Sequence, residues 1–176
     1  EVITADERLA KIADDFVDAF GARTSELTLG AEQAYGPEVG ALASQDQLDK
    51  VRAHVDDAVA KGARVVAGGR HRPDVGELFY EPTVLAGVTP DMALYREETF
   101  GPVVAVYPVA SDDEAVAQVN DTEYGLNASV YSGDTDRGKA IAERIRAGTV
   151  NVNDGYSSAW ASLDAPMGGM KASGLG

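Results

Sequence analysis

Apolar residues recur along this chain at two spacings, and those spacings predict its elements. Leu9, Ile12, Phe16 and Phe20 fall on one face of a helix, and Thr4-Ala5-Asp6-Glu7 ahead of them fits a capping box, so a first helix is expected to begin near Ala5. Ser44-Gln45-Asp46-Gln47 is a second capping box. It precedes Leu48, Val51, Val55 and Val59, and Lys61-Gly62 supplies the stop that a left-handed glycine cap provides. Ala63 to Ala67, β-branched at its centre and bounded by Gly62 and Gly68-Gly69, reads as a strand, as does Val103 to Tyr107. Ser111-Asp112-Asp113-Glu114 caps a helix carrying Ala115, Val116 and Val119. Ala128 to Tyr131 is then a strand, Thr135 a cap for a helix carrying Ile141 and Ile145 that Gly148 ends, and Thr149 to Val152 a further strand. Strands separated by helices predict an α/β fold, a mostly parallel sheet with helices on both faces.

Composition narrows the function classes. At 176 residues, 44% hydrophobic and 25% charged, the chain has the make-up of one ordinary globular domain. Twenty-nine acidic against 15 basic residues give a formal net charge of -14, with the cations scattered. That field repels phosphate backbones and anionic bilayers, so neither nucleic acid nor membrane is expected as a partner. No apolar run approaches the roughly 20 residues that span a bilayer, and the acidic start lacks the features of a signal peptide, which favours a cytoplasmic protein.

The chain contains no cysteine, which removes disulfides, thiolate metal sites and thiol catalysis together. Two histidines remain. His54 sits among Val51, Val55 and Val59 in the helical pattern, and His71 lies in Arg70-His71-Arg72, so neither has a partner at metal-ligand spacing and no metal site is expected. Two long loops, Gly30 to Ala43 and the glycine-rich tail from Asn153 to Gly176, are the places where function could sit in such a fold.

Glu98-Thr99-Phe100-Gly101-Pro102 resembles the E-x-F-G-P motif of the aldehyde dehydrogenase superfamily. Gly36-Pro37, Gly62-Ala63 with Gly68-Gly69, Glu81-Pro82-Thr83-Val84, Tyr124-Gly125-Leu126, Ala147 to Asn153 and Pro166-Met167-Gly168-Gly169 resemble further signatures of that family, in its own order across essentially the whole chain. The resemblance implies that residues 1–176 are an incomplete catalytic domain from an oxidoreductase using NAD or NADP, one that forms homo-oligomers, with the nucleotide-binding domain absent from this chain. The family's thiolate attacks an aldehyde, a hydride passes to the nicotinamide, and an activated water releases the acid. The cysteine and general base would lie upstream of Glu1, so no catalytic residue is assigned here and the chain alone is expected to be inactive. The alternative is a naturally short, non-enzymatic binding or assembly module with the same fold.

Glu98 and Phe100 are the residues that the resemblance assigns to the cofactor. A carboxylate has two acceptor oxygens and can take hydrogen bonds from both hydroxyls of a nicotinamide ribose, and Phe100 matches an aromatic residue near the nicotinamide. By residue type alone a solvated Glu97-Glu98 pair ahead of a core phenylalanine is the plainer reading, and Gly101-Pro102, which completes the motif, reverses that preference. The tail resembles the substrate-facing wall. Met167 stands where many members carry phenylalanine, and the form Asp164 to Lys171 resembles succinate-semialdehyde dehydrogenases, in which a serine before the proline helps hold the substrate carboxylate. Ser162 matches that position, with Ser157 and Ser158 as substitutes and a plain exposed loop as the bland alternative.

Overall fold

The computed structural model describes residues 2–5, 9–32, 35–155 and 168–174. The chain divides into two compact units, Glu1–Pro108 and Val109–Gly176.

The first unit is built on a four-stranded sheet in the order β1-β4-β3-β2, with β1 Val2–Ala5, β2 Arg64–Ala67, β3 Thr83–Ala86 and β4 Val103–Val109. β3 and β4 run parallel in the register Thr83↔Val103 to Ala86↔Val106. Side chains alternate across a strand, so this register sorts the core into two layers. Val84 and Val106 face α1 (Leu9–Ser25), where Val17, Phe16 and Phe20 cover them, the two phenylalanine rings stacked at 5.7 Å. Leu85, Ala105 and Tyr107 face the other way, toward Ala58 of α2 (Gln45–Ala60) and Met92. Helices thus cover both faces of the sheet, as the alternating pattern predicts.

β2 departs from the parallel pattern. It pairs with β3 antiparallel, with an irregularity between Val65 and Ala67. A parallel neighbour needs a crossover. The connection 68–82 carries no helix and folds back through an antiparallel bridge between His71 and Tyr80. Glu81 is buried at its end and accepts a forked hydrogen bond from Arg70 Nε and Nη2 at 3.1 and 3.0 Å. Burial of Tyr80 among Leu48, Val51 and Val55 pushes its phenol up to about 12.

The start of the chain differs from the expected helix. Val2–Ala5, including Thr4 of the expected capping box, is strand β1, and α1 begins at Leu9. Residues 2–5 border β4 as the edge strand of the sheet, where pairing serves the backbone groups on one side. α2 matches its expected cap: Ser44 Oγ accepts from Gln47 N at 3.2 Å.

The second unit places α4 (Asp112–Asn120) and α5 (Thr135–Ala142) with a two-stranded parallel sheet of β5 (Asn127–Val130) and β6 (Thr149–Val152). Ser111 caps α4 as expected, accepting from Glu114 N at 3.1 Å. The cap of α5 is Asp134 instead of Thr135, because the carboxylate reaches two donors, Asp136 N at 3.0 Å and Arg137 N at 3.1 Å. Arg137 also binds Asp112 through Nε at 2.9 Å and Nη2 at 2.6 Å, and this guanidinium holds the Asp112 carboxyl below the usual carboxylate range.

Candidate functional site

α2 and the segment 93–102 together build the candidate site. Along α2, Gln47, Val51 and His54 recur at helical spacing and share one face, while Leu48, Val51 and Val55 stay buried in the core. The polar members of that face grip the loop carrying Glu98. Gln47 Nε2 donates to the carbonyl oxygens of Thr99 and Phe100 at 2.6 and 2.8 Å. The Gln47 side chain therefore does not close the capping box whose N3 position it occupies, because two carbonyls of the loop take its amide instead.

His54 is 5% exposed. Its Nδ1 lies 3.0 Å from Thr99 Oγ1 and its Nε2 lies 3.4 Å from the Glu97 carboxylate. One turn further, Asp57 accepts from Ala93 N at 2.8 Å, which satisfies an orphan amide at the start of α3 (Ala93–Arg96). Lys61 and that amide hold the Asp57 carboxyl below its ordinary range. Beneath the loop, Gly101 lies so close to α2 that an added Cβ would overlap Val51 Cγ2.

The loop that results is unusual at the two residues expected to meet a cofactor. Phe100 has φ +47° and is 75% exposed. A left-handed conformation costs a phenylalanine about 1–3 kcal/mol and persists only where its surroundings over-determine it. Gln47 on the carbonyls at 99 and 100, with Gly101 against Val51, provides that constraint. Glu98 is exposed, and its carboxylate has no hydrogen bond or ion pair among the described residues. The structure thus presents an exposed carboxylate and an exposed aromatic ring two residues apart on one braced loop. Such a combination suits a ribose diol with an attached planar ring.

The sequence singles out Glu98 and Phe100 through the motif they share, but not Gln47, His54 and Thr99. A signal was present. Gln47 and His54 are polar residues at helical spacing inside an otherwise apolar stripe, and such residues need a partner when buried. Among the described residues, no group of three or more His, Cys, Asp or Glu side chains comes together in a way that could hold a metal ion.

Ser162 and Met167, with Ser157 and Ser158, lie outside the described residues. The tail is described from Gly168 to Gly174 and is firmly tied within the second unit. Met170 N donates to Gly125 O and Ala172 N to Glu123 O, each at 2.8 Å, and Gly125 N donates to Ser173 Oγ at 3.0 Å. Lys171, at φ +58°, donates through Nζ to the carbonyls of Asn120 and Thr122, both at 3.1 Å. No described helix is long and apolar enough to cross a membrane.

Comparison with known proteins gives a consistent family. A protein of Mycobacterium ulcerans (strain Agy99), provisionally named succinate-semialdehyde dehydrogenase (NADP(+)) 2, is 58% identical over 165 residues, 94% of this chain and 32% of its own length. The crystal structure of succinate-semialdehyde dehydrogenase from Burkholderia pseudomallei superposes with a TM-score of 0.83 at 42% identity, covering 94% of this chain and 34% of that one. Betaine aldehyde dehydrogenase from Staphylococcus aureus, solved with NAD+, gives a TM-score of 0.84 at 35% identity over 94% of this chain and 33% of its own. The chain therefore spans about a third of the length of the relatives it matches. The model of the aldehyde dehydrogenase family matches residues 9–176, and the chain belongs to that family.

Proposed function

We propose that this chain is the carboxyl-terminal part of the catalytic domain of an NAD(P)-dependent aldehyde dehydrogenase acting on succinate semialdehyde. The observation that carries the reading is the braced loop, with Glu98 exposed and unpartnered among the described residues and Phe100 exposed in a strained backbone. The names of the relatives favour NADP and succinate semialdehyde, and a solved relative holds NAD+.

Glu98 and Phe100 would hold the nicotinamide end of the cofactor, which supplies a hydride acceptor when bound. The Glu98 carboxylate accepts from the ribose hydroxyls, and Phe100 packs beside the nicotinamide ring and keeps water from it. Orientation is their contribution, since misplacing a reacting atom by 1 Å can cost about 100-fold in rate. Ser162 and Met167 are the residues we assign to the substrate side, on the resemblance of the tail. With no cysteine in the chain, residues 1–176 by themselves have no thiol nucleophile and are expected to be inactive.

The test uses the full reading frame that encodes this chain. The purified product should reduce NADP+ or NAD+ with succinate semialdehyde at a higher kcat/KM than with betaine aldehyde. Glu98→Gln should raise the KM for the cofactor about tenfold, the effect of losing a charge-assisted hydrogen bond, while the KM for aldehyde moves little. No reduction with any aldehyde would overturn the proposal.

A further inference from the structure

Glu98 is flanked on both sides by residues that turn to the same buried imidazole. Glu97 has an extended backbone, φ -97° and ψ 141°, and successive side chains along an extended segment point to opposite sides. With Glu97 and Thr99 directed at His54, the side chain between them is directed away from α2. The exposure of Glu98, and its lack of a partner among the described residues, follow from that alternation. A slip of one residue would send Glu98 toward the helix and Glu97 or Thr99 outward, because a period of two exchanges the faces.

We infer that His54 is a positioning residue for cofactor binding: by engaging Thr99 and Glu97 together it sets the register of the loop, and so decides that Glu98 faces the ligand. The inference rests on the reading of Glu98 and Phe100 as cofactor residues. An imidazole suits the task because its two nitrogens can serve different partners. Nδ1 can accept from the Thr99 hydroxyl at 3.0 Å, while Nε2 lies 3.4 Å from the Glu97 carboxylate. The helix gives the latch its rigidity. His54 is buried on α2, whose neighbouring turns are locked by Val51 and Val55, 0% and 2% exposed. Gln47 fixes only backbone carbonyls of the loop and does not distinguish the side chains at 97, 98 and 99. His54 reads the side chains themselves.

The experiment measures the dissociation constants of NADP+ and NAD+ by quenching of protein fluorescence, and the KM of cofactor and aldehyde, in the full-length protein. The variants are His54→Leu, His54→Asn, Thr99→Val, the His54→Leu/Thr99→Val pair, and Glu98→Gln. His54→Leu and Thr99→Val should each weaken cofactor binding about three- to tenfold, the range of one lost hydrogen bond, with the aldehyde KM within about twofold of the parent. The double variant should be no weaker than the worse single one, since both remove the same contact. His54→Asn, which keeps a polar atom near the Nδ1 position, should recover most of the affinity. Thr99→Val leaves the helix core intact and so reports on the loop even where His54→Leu folds poorly. If Glu98→Gln weakens cofactor binding while His54→Leu and Thr99→Val lower only the melting temperature, the positioning role is overturned and the cofactor reading stands. If Glu98→Gln has no effect either, the reading of the loop itself falls.

Discussion

Gly68 and Gly87 both have positive φ, +71° and +73°, yet they stand in different surroundings. At Gly68, where β2 ends, an added Cβ would overlap the Pro82 carbonyl oxygen, and the space is closed because the bulge of β2 brings this backbone against the start of β3. At Gly87 an added Cβ meets nothing within 4 Å. Alanine at 87 therefore costs only the left-handed backbone, about 1 kcal/mol, whereas alanine at 68 adds a clash with a carbonyl oxygen that cannot rotate away. Urea midpoints should show Gly68→Ala destabilised by at least about 1 kcal/mol more than Gly87→Ala. Equal effects would mean that the turn at 68 relaxes freely and that its glycine serves only the dihedral. The pair Gly68-Gly69 was visible in the sequence as a strand terminator and as a family signature. What it borders was not, because Pro82 lies across the helix-free connection.

The helix α2 shows which parts of an element are legible from its own residues. Its start, its stop and its apolar stripe are local properties, encoded by Ser44, Lys61-Gly62 and Leu48 to Val59, and the structure returns them with small shifts at the ends. Its polar grip is not local. Gln47 reaches Thr99 and Phe100, His54 reaches Thr99, and Asp57 reaches Ala93, all partners far along the chain. Periodicity cannot supply such pairings, so His54 reads from sequence as one more member of a buried face. Strand β3 was missed as an element for a related reason. Thr83–Ala86 is short and nearly fully buried on both faces, so it shows no alternation. The two roles of α2 can be separated by mutation. Leu48 is fully buried with Val51, Val55 and Tyr80, and Leu48→Ala should cost about 2–5 kcal/mol by leaving a cavity. Ser44→Ala, which removes only the cap, should cost about 1 kcal/mol. If the cap proves as costly as the cavity, α2 is held by its end and not by its core face.

The two units differ in how completely their sheets are covered. In the first, β3 and β4 contribute Val84, Leu85, Ala105 and Val106, each 5% exposed or less, and helices lie on both faces. In the second, β5 and β6 form a parallel pair in which no residue is buried, the buried apolar residues are few and small (Val109, Ala115, Val116 and Ala147 among those described), and polar ties join the elements: Arg137 to Asp112, Arg144 to Asp113, and Lys171 to the carbonyls of Asn120 and Thr122. Parallel sheets are stable when both faces are covered, and two strands alone are marginal. Exposed ion pairs add little to offset that. A chain spanning a third of its relatives' length leaves room for the covering surface to lie elsewhere in the full protein. Amide hydrogen exchange on residues 1–176 should therefore separate the units, with the amides of β5 and β6 exchanging at least about tenfold faster than those of β3 and β4, because opening free energies follow local burial. The same β5 and β6 amides, followed in the full-length protein, should slow toward the rate of the first unit as their faces are covered. Equal protection of both sheets in the isolated chain would show that the polar ties of the second unit suffice, and that its two-stranded sheet needs no further cover.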